Sequence, residues 1–255
     1  MSKHISKYLY QQMDKEAGIS HSQKRTKIVA TVGPACETLE KLLQLAKAGV
    51  NVFRLNFSHG THENKKEIIE HIRTINKSQP INIAILGDLQ GPKLRVGDLE
   101  NGQVELVEGA DIIFSTEKQI GTKDKVYVSY PNLTKDTKVG ERIFLDDGKM
   151  EVKVKSILND KEILVSITIG GTLLPKKGVN LPDSELTMPS MTEKDYADLE
   201  FIIENNLDWV ALSFVRRKQD IVELKSKIAE KKSKIKVIAK IEMPEALKNI
   251  RDIIV

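Results

Sequence analysis

Short apolar runs alternate with amphipathic segments in two stretches of the sequence. The segment from Leu39 to Ala46, for example, has apolar residues at i, i+3, i+4 and i+7, the spacing of one buried helix face. A later segment begins with a capping box from Thr192 to Asp195. Strands that alternate with helices predict βαβ units and a parallel sheet, in either a doubly wound fold or a (β/α)8 barrel. The apolar runs cover residues 27–32, 52–57, 83–86, 209–212 and 236–239.

The region between the third and fourth runs has a different pattern. Polar and apolar residues alternate in segments such as 104–107 and 152–155, and turn signals occur at Gly102, Gly148 and Gly170. Because this region lacks a long helical pattern, it is predicted to form an all-β module inserted after the third strand. An insertion at the C-terminal end of a parallel strand lies beside the usual active-site edge, where it can act as a lid.

These patterns divide the chain into three parts. Residues 1–22 are polar and of mixed charge, and are interpreted as an N-terminal arm. Residues 23–90 and 187–255 are predicted to form the α/β domain, and residues 91–186 the inserted β-barrel lid. Five strands are too few to close a barrel, and the last residues, 252–255, carry no stop signal, so we expect the natural chain to continue.

Polar side chains are concentrated in the segment RLNFSHG, which ends the second run. On a strand, Arg54, Asn56 and Ser58 lie on one face, with Leu55 and Phe57 on the other. A guanidinium, an amide and a hydroxyl are unusual as plain core in a parallel strand covered by helices. The alternative is an edge strand with a solvated face. The pattern favours a ligand site at this strand end.

A second polar pair, Lys240 and Glu242, ends the fifth run. A strand places residues two apart on the same face, near the edge where barrels carry catalytic groups. Hard cations such as Mg²⁺ take carboxylate oxygens as ligands. The pair is therefore either a structural ion pair or a charge-stabilising cation beside a metal ligand.

Charged residues also mark the two borders of the inserted module. The segment GDLQGPKLR places Asp88 at the end of the third strand, and Lys93 and Arg95 at the start of the module. The segment KKGVNLP places Lys176 and Lys177 beside a glycine where the module returns. Taken alone, these lysines are typical of a solvated loop, and a functional role is the alternative.

The composition excludes several classes of protein. Of the 255 residues, 40% are hydrophobic and 30% charged, with a net charge of +4, as in an ordinary soluble domain. The basic residues are interspersed with 36 acidic ones, so no stripe for nucleic acid is expected. No apolar stretch approaches the roughly 20 residues of a membrane helix. The single cysteine, Cys36, excludes an internal disulfide and fits a reducing cytosol.

Signatures of other chemistries are missing from the sequence. It contains no Walker-type phosphate loop, no dinucleotide-binding glycine motif, no HExxH zinc motif and no nucleophile elbow. His59 and His62, near a predicted helix start, are more typical of a surface than of a metal site. Zinc and classical nucleotide folds are therefore not expected.

Taken together, the motifs resemble the pyruvate kinase family, and the resemblance covers nearly all of the chain after about Lys24. It implies a partial (β/α)8 TIM barrel, with about five of eight strands, and a mobile inserted β domain that closes over nucleotide. It further implies phosphoryl transfer from phosphoenolpyruvate to ADP, giving pyruvate and ATP in glycolysis, by a cytoplasmic homotetramer. The segments that carry it are TVGPA (31–35), RLNFSHG (54–60), DLQGPKLR (88–95), KGVNLP (177–182), SF (213–214) and KIE (240–242).

The resemblance also assigns roles to matching residues. Arg54 would hold the phosphate of phosphoenolpyruvate, and Lys240 would stabilise the moving phosphoryl group and the enolate. Glu242 would be one ligand of Mg²⁺ or Mn²⁺. The nucleotide contacts would be Arg95 and Lys177, with weaker ones at Thr31, Pro34 and His59. The monovalent-cation site would be formed by Asn56, Ser58, Asp88 and the backbone of Leu89.

Two departures from the family pattern change these expectations. The second metal ligand, an Asp on the next strand, would lie beyond Val255, so we expect the isolated chain to be inactive. Many potassium-dependent members have Thr at the position of Leu89 and Glu at that of Lys93. Here Lys93 could place an ammonium where the potassium charge would act, so we expect the complete enzyme not to require K⁺.

Two other functions stay open at this point. A Mg²⁺-dependent lyase or aldolase of the phosphoenolpyruvate/pyruvate type would also use Arg, Glu and a metal on strand ends. It would not need an inserted β lid with Arg95 and Lys177, so nucleotide binding separates it from the kinase. The other alternative is a non-catalytic binding or structural fragment, which would bind ADP weakly through the β module without turnover.

Overall fold

A computed structural model of the chain describes residues 26–254, and the arm predicted for residues 1–22 lies outside the described residues. The strands are β1 (Val29–Thr31), β2 (Val52–Asn56), β3 (Ala84–Asp88), β4 (Val104–Leu106), β5 (Asp111–Ser115), β6 (Lys125–Tyr127), β7 (Arg142–Leu145), β8 (Met150–Ile157), β9 (Glu162–Ile169), β10 (Gly171–Leu173), β11 (Val179–Asn180), β12 (Trp209–Leu212) and β13 (Lys236–Ala239). The helices are α1 (Leu39–Lys47), α2 (His62–Ser78), α3 (Leu133–Asp136), α4 (Glu193–Glu204), α5 (Lys218–Glu230), α6 (Pro244–Lys248) and α7 (Ile250–Ile254). None of the helices in this range offers the extended apolar stretch that a bilayer crossing requires.

The described residues divide into two compact units. The first comprises the residues up to Gly91 together with Met191–Ile241, and the second comprises Pro92–Ser190 together with the residues from Glu242 onward. Five parallel strands form one sheet in the first unit, in the order β1-β2-β3-β12-β13. The predicted fold class is confirmed: it is α/β, a partial (β/α)8 barrel with an all-β insertion after its third strand.

The helices of the first unit follow the predicted spacing. Thr61 caps α2 with its hydroxyl, and α4 has the predicted capping box between Thr192 and Asp195. The face of α1 is narrower than expected, since Leu42 is buried whereas Leu39, the first residue of the helix, is 39% exposed. The isoleucines that α2 buries are Ile68, Ile69, Ile72 and Ile75.

The second unit is built on a sheet of six strands, in the order β11-β7-β8-β9-β5-β6, and β10 pairs with β4. Along β8 and β9, buried side chains alternate with more exposed ones, so that one face of the sheet contributes to a core. The turn between β7 and β8 has positive φ angles of 49°, 58° and 88° at Asp146, Asp147 and Gly148. Aspartate and glycine tolerate this left-handed region better than other residues, which explains the turn signal.

Within the second unit, hydrogen bonds hold the segment after β11 against the start of β7. The Arg142 guanidinium donates two hydrogen bonds to Asp183, at 3.0 and 2.8 Å, and the Arg142 backbone N–H donates a third at 3.1 Å. Ser184 donates to Glu141 at 2.6 Å. The side-chain hydrogen bonds from Arg142 are the main reason that the pKa of Asp183 is lowered to about 2.

Asp183→Asn tests how this contact depends on pH. A carboxylate with a lowered pKa stabilises the fold above its ordinary pKa of 3.8, and this contribution is lost as the pH falls towards about 2. We expect the wild type to lose more stability than Asp183→Asn between those two pH values, as measured by urea unfolding. Glu185→Gln, at an exposed carboxylate nearby, is the control. Equal acid sensitivity in the wild type and Asp183→Asn would contradict this account.

Candidate active site

Polar residues stand at the same edge of the first unit's sheet, on four neighbouring strands. Asn56 and Asp88 are the last residues of β2 and β3, and Ser213 and Lys240 directly follow β12 and β13. The carboxyl ends of parallel strands share one edge, so the sheet brings together side chains that lie far apart in sequence.

Asp88 lies at the centre of this edge and is 2% exposed. Its Oδ2 accepts a hydrogen bond from Arg54 Nε at 2.7 Å and lies 2.5 Å from Arg54 Nη2. Lys240 Nζ lies 3.3 and 3.4 Å from the two carboxylate oxygens. The side chains of Arg54 and Lys240 are 29% and 28% exposed. One buried carboxylate therefore holds two cations that remain accessible from solvent.

Ser213 links Lys240 to the end of β3. Lys240 Nζ donates to Ser213 Oγ at 2.8 Å, and the hydroxyl donates to the Leu89 carbonyl at 2.6 Å. Ser213 Oγ also lies 3.4 Å from Asp88 Oδ1. Because its ammonium has both a hydroxyl and a carboxylate as partners, the direction of the Lys240 side chain is well defined.

The end of β2 shows the alternation that its sequence predicts. Phe53 and Leu55 are buried, whereas Arg54 and Asn56 are half-buried. The Asn56 side-chain oxygen accepts the Ser58 N–H at 3.0 Å, which closes a short turn after the strand. The predicted polar face is therefore formed by Arg54 and Asn56 only, because the strand ends at Asn56 and Ser58 lies in the turn that follows.

The weaker nucleotide contacts suggested by the sequence lie in different surroundings. Thr31 joins the Asp88 network, because Arg54 Nη1 donates to Thr31 Oγ1 at 2.8 Å. Pro34 and His59 are exposed. Among the described residues, the structure does not bring these two into the same hydrogen-bond network.

Lys240 and Glu242 follow a strand instead of lying on one. β13 ends at Ala239, so the expected shared strand face is not formed. Lys240 belongs to the first unit, whereas Glu242 is exposed and belongs to the second. Within residues 26–254, no group of three or more His, Cys, Asp and Glu side chains could hold a metal ion.

Arg95 and Lys177 lie on neighbouring segments of the second unit. Arg95 forms an antiparallel bridge with Gly178, the residue after Lys177. Its Nη1 donates to the Lys176 carbonyl at 2.7 Å. Lys93, two residues before Arg95, is exposed. The predicted pair of phosphate-binding cations is thus brought together within one unit.

Asp146 is shared by two lysines close to this pair. Lys177 Nζ lies 2.9 Å from Oδ1, and Lys149 Nζ lies 2.9 Å from Oδ2. These hydrogen bonds, with that from Lys177 as the largest cause, lower the pKa of Asp146. The hydrogen bond between Lys149 and Asp146 also raises the pKa of Lys149. Two lysines therefore share one carboxylate, and Arg95 lies on the segment that bridges to Gly178, the residue after Lys177.

Comparison with known proteins agrees with these motifs. Residues 23–255 match the family described as pyruvate kinase, barrel domain. The chain belongs to the pyruvate kinase family. The pyruvate kinase of Geobacillus stearothermophilus is 44% identical over 236 residues, which is 91% of this chain and 40% of that protein. Those of Staphylococcus aureus strains MRSA252 and USA300 are 44% identical over 232 residues, with the same two coverages, 91% and 40%. The chain thus spans about 40% of the length of the curated relatives it matches.

The sequence did not predict the position of Ser213 in this member of the pyruvate kinase family, between Lys240 and the end of β3. Its motif contributed to the resemblance but received no role. A signal was present, because Ser213 directly follows an apolar run, as Lys240 does. The next residue, Phe214, has a φ of 55°, and a Cβ on Gly91 would lie 2.9 Å from the Phe214 ring. The turns after β12 and β3 therefore pack closely.

Asp88→Asn tests whether the buried carboxylate stabilises the sheet edge. The amide keeps the shape but removes the negative charge that lies next to Arg54 and Lys240. We expect the free energy of unfolding to fall by about 1–3 kcal/mol, less than for a fully buried pair because both cations reach solvent. Urea unfolding at neutral pH measures the change, with Asp124→Asn at an exposed position as the control. Equal stability of the two variants would show that the cations need no counter-charge.

Proposed function

We propose that the protein containing this chain transfers a phosphoryl group from phosphoenolpyruvate to ADP, giving pyruvate and ATP. The observation that carries the proposal is the pair of accessible cations, Arg54 and Lys240, held on the buried Asp88 at the carboxyl edge of the sheet. Membership of the pyruvate kinase family supports the same reaction. A place in glycolysis and a cytoplasmic homotetramer belong to the same proposal.

Arg54 and Lys240 have complementary parts in this proposal. Arg54 binds the phosphate of phosphoenolpyruvate, and Lys240 stabilises the moving phosphoryl group and the enolate. Phosphoryl transfer depends on positioning and on neutralising spread negative charge more than on covalent chemistry. Two cations fixed by one carboxylate supply both, because they need little reorganisation when the anionic substrate arrives.

Glu242 is the proposed ligand of Mg²⁺ or Mn²⁺. Mg²⁺ is usually bound through one or two carboxylates and completes its octahedron with water and substrate phosphates. A single exposed carboxylate two residues after Lys240 fits that mode better than a cage of protein ligands. When bound, the metal ion would neutralise charge on phosphate oxygens.

Arg95 and Lys177 are the proposed nucleotide-phosphate contacts, with Thr31, Pro34 and His59 as weaker ones. The planar guanidinium of Arg95 suits bidentate binding of phosphate, and Lys177 adds a point charge. Because Lys177 is paired with Asp146, a phosphate chain would compete with that carboxylate. This pair of cations favours the kinase over a lyase, which has no use for a nucleotide site.

A lactate-dehydrogenase-coupled assay tests the proposal on the polypeptide expressed from its complete reading frame. With phosphoenolpyruvate, ADP and Mg²⁺, we expect pyruvate formation that stops when ADP is omitted. Pyruvate formation that does not need ADP would support the hypothesis of a lyase instead. A folded protein that forms no pyruvate would overturn the proposal in favour of the non-catalytic reading.

Lys240→Met is expected to lower kcat by about 10²–10³-fold with a smaller change in KM. The reason is that Lys240 is assigned to charge that develops in the transition state, where a single fixed donor has effects of this size. Steady-state kinetics measure the effect, with Lys248→Met at an exposed position as the control. A raised KM with unchanged kcat would show that Lys240 only binds substrate.

The proposed monovalent-cation site consists of Asn56, Ser58, Asp88 and the Leu89 backbone. Two of its oxygens already accept hydrogen bonds: Asn56 Oδ1 from the Ser58 N–H, and the Leu89 carbonyl from Ser213. The alternative is that the Lys93 ammonium replaces the charge of K⁺, an inference that comes from the departure from the family pattern at position 93. Lys93 belongs to the second unit and is exposed.

Potassium dependence tests that alternative. We expect pyruvate formation by the wild type to persist when K⁺ is replaced by a bulky inert cation, because Lys93 supplies the missing charge. Lys93→Glu should introduce a potassium requirement, whereas Lys118→Glu, at another exposed lysine, should not. A strict potassium requirement of the wild type in the coupled assay would rule out this role for Lys93.

A further inference from the structure

A polar cluster lies behind the loop that joins β2 to α2, which we define as residues 58–61. Lys194 Nζ donates to the Phe57 carbonyl at 2.6 Å and lies 2.6 Å from Asp198 Oδ2. The other oxygen of Asp198 lies 2.7 Å from His62 Nε2. Phe57 directly precedes the loop and His62 directly follows it. One carboxylate of α4, with a side chain 3% exposed, thus connects to both ends of the loop.

The peptide groups that lead into the loop are held from two sides. The Phe57 N–H donates to the Asp88 carbonyl at 3.0 Å, while its carbonyl accepts from Lys194. The ring of His62 stacks on Phe201, with centroids 4.4 Å apart. Phe57 packs edge-on against the Phe201 ring, with centroids 6.0 Å apart. Hydrogen bonds and ring contacts therefore restrain the same two residues.

Gly60 leaves the loop little room to move towards α2. Its φ is +77°, and a Cβ there would lie 3.3 Å from Asn64 Oδ1 and 3.4 Å from Lys65 Nζ. Lys65 is 6% exposed, and burial lowers its pKa. A side chain at position 60 would therefore be strained by the positive φ and would press on the ends of two α2 side chains, which explains the glycine.

We propose that Lys194, anchored by Asp198, is a positioning residue that holds the 58–61 loop, and with it Ser58 and His59, in place beside the Asp88 edge. The assignment of Ser58 and His59 to ligand binding rests on the proposed function. Lys194 acts through the Phe57 carbonyl. A charge-assisted hydrogen bond to a main-chain carbonyl is suited to this task, because it fixes backbone instead of a single side chain.

Hydrogen–deuterium exchange of peptides covering residues 58–61 tests the anchoring without using activity. Lys194→Met removes the ammonium, and the side chain is 48% exposed, so the variant is expected to fold. We expect exchange in the loop to rise on the order of tenfold in Lys194→Met. Lys194→Arg should keep near-native protection. Lys231→Met, which removes an exposed ion pair to Glu200 on the same helix α4, is the matched control. Native protection in Lys194→Met would overturn the proposal.

Kinetics of the same variants, expressed from the complete reading frame, test the consequence for the reaction. We expect kcat/KM to fall on the order of tenfold in Lys194→Met and to be largely restored in Lys194→Arg, when both are measured well below their thermal midpoints. A loss in Lys231→Met equal to that in Lys194→Met would overturn the positioning role. If the wild type forms no pyruvate, the proposed function fails, while the exchange experiment alone still decides whether Lys194 anchors the loop.

Discussion

The sheet edge of the first unit depends on the pairing of one buried carboxylate with two cations. Asp88 is the last residue of β3, the middle strand of five. Its carboxylate pairs with Arg54 of β2 and with Lys240, the residue after β13. Burying a carboxylate is tolerable only where charged or hydroxyl groups replace its water. Conversely, without Asp88 the two cations would repel each other. The interaction that stabilises this edge therefore also fixes two solvent-accessible cations in place.

The second unit also has a carboxylate that pairs with two basic side chains. Asp146 sits in a turn of positive φ and pairs with Lys177 and Lys149, next to the segment that carries Arg95. Here the carboxylate lies nearer to the surface, and its hydrogen bonds lower its pKa. In both units, basic side chains are therefore held in place by an acidic one.

Side chains of helix α4 form hydrogen bonds with the backbone of the segments that follow β2 and β3. Segments that leave a parallel sheet lose their ladder hydrogen bonds and need others when they are buried. The carboxylate of Asp195, which is fully buried, accepts the N–H of Gly91, after β3, at 3.0 Å. Lys194, the residue before Asp195, donates to the carbonyl of Phe57, after β2, and pairs with Asp198 one turn further along the helix. The first turns of one helix thus order two neighbouring exits, at the edge where polar side chains converge.

The alternation of strands and helices, the inserted β module, the capping box of α4 and the polar positions of Arg54 and Asn56 on β2 were predictable from the sequence, because they arise from local periodicity and turn chemistry. The resemblance to a family also pointed to Arg54, Asp88 and Lys240. The pairing of these residues was not predictable, nor was the part of Ser213. Asp88 and Lys240 lie 152 residues apart in the chain, and the spacing of residues in one segment carries no information about such a contact. Likewise, β13 ends before Lys240, so a strand-based rule could not place that side chain. Only the register of the parallel strands, set by packing across the sheet, decided which polar ends meet.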